Sequence, residues 1–119
     1  MTIEQWQRYA AIWSLPQAER DRELEDCVEP EVSYADPNVA VSGLRAFSDY
    51  MAGFQRGFPG HAFCIRAVRA HHGGSVARWD QVDASGAVVG PGLSFAETGE
   101  DGRFRRIRGF FGQVEELLR

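Results

Sequence analysis

The hydrophobic period of this chain changes once, at Gly57-Phe58-Pro59-Gly60, and that change limits the folds open to it. Before the break, apolar residues recur at helical spacing. Trp6, Tyr9, Ala10 and Trp13 share one face of a helix that opens on Thr2, with Gln5 three residues on as its capping-box partner. Pro16 suits the first position of a second, largely charged helix, "PQAERDRELEDC". Ser42 is placed to cap a third, in which Leu44, Phe47, Tyr50, Met51 and Phe54 form the apolar stripe. After the break the period is two. "HAFCIRAVRA", "SVARWDQVD", "AVVGPGLSFAE" and "RFRRIRGFF" read as strands, joined by the glycine-bearing turns "HHGG", "DASG" and "TGEDG". Helices first and strands after imply an α+β domain: an antiparallel meander, curved into a cone around N-terminal helices packed on one face. No linker or repeat interrupts it, so one domain over residues 1–119 is expected.

Charge and composition exclude several classes. Thirteen basic against seventeen acidic residues give a net charge of −4, which argues against nucleic acid. Two cysteines, Cys27 and Cys64, cannot form a disulfide framework and read as packed thiols. The three histidines show no zinc spacing, so neither a metal nor a cofactor is implied. "MTIEQWQR" is polar and charged, and no apolar run reaches the length of a membrane span. A cytoplasmic domain with no membrane partner is the expectation.

"EVSYADPNVAVSG" contains the most informative residue. Asp36 before Pro37 follows a short strand, "VSYA", and precedes an apolar loop. It is either a turn initiator or a carboxylate held in a cavity. Tyr34, two residues earlier, points to the same side, where it could hydrogen-bond a ligand. Gly92, Ser94 and Ala96 alternate along one strand face, and three small side chains in a row leave room for a cavity.

The order of elements and three segments resemble the nuclear transport factor 2-like superfamily, in particular its SnoaL-like and ketosteroid isomerase-like members. The likeness spans nearly the whole chain and implies their cone-shaped α+β barrel. "QRYAAIW" resembles the helix that carries the isomerase oxyanion tyrosine, which falls on Tyr9. "YADPNVAVSG" resembles the segment with the general-base aspartate, which falls on Asp36. "DGRFRRIRGFFG" resembles the last strand, and counting back from its turn sets Ser94 where the isomerases have a second, protonated acid. The resemblance implies proton transfer beside a carbonyl, with Asp36 as base and Tyr9 and Ser94 as donors to the developing oxyanion. Apolar neighbours would strengthen such a base. Trp13, Tyr34, Phe54, Phe58 and Trp79 are the candidate contacts to a small apolar molecule. Tyr9 remains open to a plain core role.

"ARWDQ" resembles part of a second site in that superfamily, the Asp-Arg-Asp set of limonene epoxide hydrolases. Arg78 and Asp80 match two of its members, but the third should fall near Gly109 and is missing. Alternation decides between the readings: if Trp79 turns inward, Arg78 and Asp80 lie on the outer face. That face, with Phe95 and mixed charges, is then the expected surface of a homodimer. Three function classes follow: an isomerase or cyclase, a non-catalytic binding module, and a structural dimer whose aromatics (Trp13, Phe54, Trp79) fill the cone.

Overall fold

The computed structural model describes residues 2–112. Its first helix, α1 (Ile3–Ile12), is capped as the sequence suggests: the Thr2 hydroxyl accepts the Gln5 N–H at 3.2 Å. Trp6, Tyr9, Ala10 and Ile12 are buried on one face, and Trp13 follows them inward. Pro16 stands one residue before helix α2 (Gln17–Cys27), in extended backbone, rather than inside its first turn. The helix is polar but buries Leu24, Cys27 and the Arg20 guanidinium. Arg20 donates to Ser48 Oγ at 2.9 Å and to the Leu15 carbonyl at 3.1 Å, which satisfies the buried charge and ties α2 to its neighbours.

Two strands precede the third helix. β1 (Val28–Asp36) is longer than "VSYA", and the apolar stretch after Asp36-Pro37 is not a loop but a strand, β2 (Val39–Ser42), folded back on β1 by a two-residue turn. Ser42 therefore pairs with Ser33 and does not cap helix α3 (Leu44–Gly57). Gly43 precedes that helix instead, at φ 90°, a left-handed value that glycine adopts without strain. Its N–H still bonds the Val32 carbonyl at 2.8 Å.

β3 (Ala62–His71), β4 (Gly74–Val82), β5 (Val88–Thr98) and β6 (Phe104–Phe111) form the expected antiparallel meander. β6 then lies parallel to β1, giving one six-stranded sheet in the order β2-β1-β6-β5-β4-β3. The sheet is thus mixed rather than wholly antiparallel. It is curved but open, with β2 and β3 as its edges, and does not close into a barrel. Register shifts in β3, between β4 and β5, and between β5 and β6 mark bulges, which raise local twist and curl the sheet. The concave face meets the helices across Trp6, Ile12, Phe47, Met51, Phe104 and Ile107, all at 1% exposure or less. Burying each such side chain stabilises by about 1.5–3 kcal/mol. Among the described residues no helix is long and apolar enough to cross a membrane.

Candidate active site

The cone is not filled by its own aromatics. A cavity of about 750 Å³ opens between α1, α3 and the concave face. Its space comes from strand positions that carry little side chain, Ser94 on β5 and Gly109 on β6; Gly92 and Ala96 do not line it, and the Trp79 indole fills the room beside Gly92. All eight residues singled out from the sequence reach it. α1 contributes Tyr9 and Trp13, β1 contributes Tyr34 and Asp36, and α3 contributes Phe54 and Phe58. Trp79 enters from β4 and Ser94 from β5.

Asp36 is both things the sequence left open. Its Oδ1 accepts the Asn38 N–H at 2.8 Å, the local bond of an aspartate turn. Its Oδ2 accepts two phenols, Tyr34 at 2.7 Å and Tyr50 at 2.8 Å. Tyr34 therefore spends its proton on Asp36 instead of offering it to a ligand. A carboxylate has about four lone-pair sites, so one remains, on Oδ1. None of the described ion pairs involves Asp36. Its three donors are neutral, and no arginine, lysine or histidine among the described residues lines the cavity.

The phenols are held in their protonated form. Burial raises Tyr34 far above the ordinary tyrosine range, with the neighbouring Tyr9 and the bond to Asp36 adding to it. Burial likewise pushes Tyr50 up to about 12, again with its bond to Asp36. Tyr9 lies deeper, its ring edge-on to Trp6 and Phe104 at centroid distances of 5.7 and 5.4 Å. Burial raises its phenol well above the usual range, opposed by a hydrogen bond with the Trp13 side chain.

Ser94 and Gly109 are direct partners across the β5–β6 pair. Ser94 Oγ accepts the Trp79 indole N–H at 3.0 Å. An indole only donates, so the serine keeps its own proton to give. A Cβ built on Gly109 would stand 3.6 Å from each of Ser94 Oγ, Tyr34 Oη and Asp36 Cβ. The serine and tyrosine hydroxyls and the Asp36 Cβ thus ring one small hollow, any two within twice that distance.

Trp79 turns inward, and Arg78 and Asp80 lie on the convex face, outside the cavity. There Asp80 bonds Arg66 and Arg78, both at 2.9 Å. The two guanidiniums, Arg78 foremost, hold its carboxyl below the usual range. With Gly109 lacking a side chain, no member of the hydrolase acid-arginine-acid set reaches the cavity. His61 Nδ1 lies 2.9 Å from Gln81 Nε2, and Phe58 packs beside the imidazole. Among the described residues no group of histidine, cysteine and carboxylate side chains could hold a metal ion.

Sequence reasoning missed Tyr50 as a partner of Asp36. Its place in the α3 stripe accounted for its burial, although a buried phenol also needs a hydrogen-bond partner.

Comparison with known proteins fits this geometry. The family model of the SnoaL-like domain matches residues 6–107. This chain belongs to the SnoaL-like family. Solved structures agree on the fold. A candidate isomerase of the SnoaL-like family from Agrobacterium tumefaciens superposes with a TM-score of 0.88 at 19% identity, covering 93% of this chain and 97% of that one. A candidate SnoaL-like polyketide cyclase from Jannaschia gives 0.75 at 17%, covering 98% and 88%. A protein with a ketosteroid isomerase-like fold from Catenulispora acidiphila, solved with trimethylamine, gives 0.75 at 12%, covering 94% and 88%. No curated protein matches this chain. At these identities the likeness establishes a SnoaL-like fold and no activity.

Proposed function

We propose that this SnoaL-like protein transfers a proton beside a carbonyl, as an isomerase or cyclase of a small, mostly apolar carbonyl compound. The observation that carries this reading is Asp36: a carboxylate with no counter-ion among the described residues, in an aromatic cavity, fixed by two phenols and sharing the hollow over Gly109 with a serine hydroxyl. In this mechanism the free lone pair of Asp36 takes a proton from the carbon next to the carbonyl. The C–H electron pair moves into the new carbon–carbon double bond, and the carbonyl oxygen becomes an enolate. Ser94, and Tyr9 from α1, donate to that oxygen. The enolate then regains the proton at a different carbon, or attacks a second carbonyl carbon within the same molecule to close a ring. Tyr34 and Tyr50 hold the carboxylate in place and stay protonated themselves. A serine hydroxyl is a weaker donor than the neutral acid at this position in ketosteroid isomerases, so the turnover belongs to a modest catalyst or to a more acidic substrate.

A second reading, a binding module without chemistry, draws on the same uncompensated carboxylate. The Catenulispora protein holds trimethylamine, and an amine could serve Asp36 as its counter-ion. Epoxide hydrolysis is not favoured, because Arg78 and Asp80 face away. Free Cys27 and Cys64 agree with a reducing, cytoplasmic setting.

The test is hydrogen–deuterium exchange at the α-carbon of β-tetralone in heavy water, followed by proton NMR. The protein is expected to accelerate exchange over buffer, and Asp36→Asn to remove about 10²-fold or more of that acceleration. Binding of β-tetralone without exchange would move the assignment to the binding module.

A further inference from the structure

We propose that the hollow over Gly109 is the seat of the ligand's oxygen, and that the absence of a side chain there determines what the cavity accepts. The fold gives no reason for a glycine at this position. Gly109 lies in β6 with a backbone outside the left-handed region, so any residue could adopt it. The contacts that a Cβ would make, all at 3.6 Å, are ordinary van der Waals distances. Gly92 differs: a Cβ there would run into the Trp79 indole, so packing alone demands glycine. A glycine inside a strand weakens it, and commonly marks close approach by a ligand. The walls of the hollow supply that ligand's description. Ser94 has its acceptor side engaged by Trp79 and offers a proton. Asp36 borders the hollow through its Cβ, and its Oδ1 keeps one acceptor site beyond the bond from Asn38. Among the described residues no basic side chain lines the cavity, so a carboxylate or phosphate would meet Asp36 with none of them to neutralise it. The fitting group is a neutral, unbranched carbonyl or enol oxygen on a flat apolar frame, of a size that one methyl group in the hollow would displace.

This seat rests on the proton-transfer reading only for the choice of an oxygen ligand, and its test needs no turnover. The probe is β-naphthol, a flat two-ring enol, titrated calorimetrically into wild type, Gly109→Ala and Gly57→Ala, with thermal unfolding of all three. Gly57 ends α3 with nothing near its would-be Cβ and lies outside the cavity, so it reports the general effect of replacing glycine by alanine. Wild type and Gly57→Ala are expected to bind alike. Gly109→Ala is expected to keep its melting temperature and lose about tenfold or more in affinity, the scale of overpacking a filled site. Equal affinity of Gly109→Ala and wild type overturns the proposal. So does a Gly109→Ala protein that unfolds or melts several degrees lower, since packing would then account for the glycine, and so does a wild type that does not bind β-naphthol. If the Gly109→Ala loss is found but β-tetralone exchange is not, the seat stands and the chemistry falls. If exchange is found and Gly109→Ala changes nothing, the reverse holds.

Discussion

At the scale of single residues, the site centres on one carboxylate and the three tyrosines that the whole sequence contains. Two of them bond Asp36, and the third lines the same cavity. All three are raised above the ordinary tyrosine pKa of about 10, Tyr50 to about 12 and the other two further. A group raised on folding contributes stability that is complete below its unfolded pKa and is lost as pH climbs through its folded one. Tyrosinate absorbance should therefore stay low through about pH 10–11, where exposed tyrosines ionise, and then rise together with loss of the near-ultraviolet dichroism. A smooth rise centred near pH 10 with the fold intact would contradict this burial. Asp36 was legible as a candidate because carboxylates are unusual among valines and alanines. Ser94 was reached through the family resemblance, by counting back from the last turn, while the alternation of small residues suggested only room for a cavity. Tyr50 was not, since a stripe at helical spacing shows which face is buried but not which hydroxyl on it finds a partner.

At the scale of elements, legibility follows how local the determining interactions are. The meander was readable because each of its turns carries glycine and joins adjacent strands. The β1–β6 pairing joins strands some seventy positions apart, and nothing in either segment announces it. β2 was hidden because four residues carry little periodicity, and its pairing depends on the turn at Pro37-Asn38. Bulges are equally silent, yet they curl the sheet into a cavity wall. On that wall β4 and β5 act as a unit: Gly92 lies opposite Trp79, makes room for its indole, and so lets the indole N–H reach Ser94. Gly92→Ala should push the indole aside at a cost of about 1–3 kcal/mol. The expected result is a melting temperature lower by several degrees, with a shift in tryptophan emission. An unchanged melting temperature and spectrum would mean that Trp79 is not wedged against β5.

At the scale of the whole molecule, all three helices lie on the concave side, so among the described residues nothing covers the convex face of the sheet. Leu93 and Phe110, opposite one another on β5 and β6, belong to that face, and Phe110 is 52% exposed. Arg66 and Arg78 stand nearby with Asp80 between them. An apolar centre ringed by arginines and a compensating acid matches the composition of protein interfaces. Such a patch on a curved sheet can meet its own copy across a two-fold axis, where each residue has a partner in the other chain. We propose a homodimer through this face. The cavity opens on the opposite side of the sheet, so pairing and ligand binding can be separated by mutation. Light scattering should return twice the 13.3 kDa chain mass for wild type. Phe110→Glu puts a charge in the centre of the contact, where burying it unpaired costs several kcal/mol, and should return the single-chain mass while still binding β-naphthol. A wild type that runs at 13.3 kDa would leave the convex face solvated. A Phe110→Glu protein that remains paired would place the contact elsewhere on the surface.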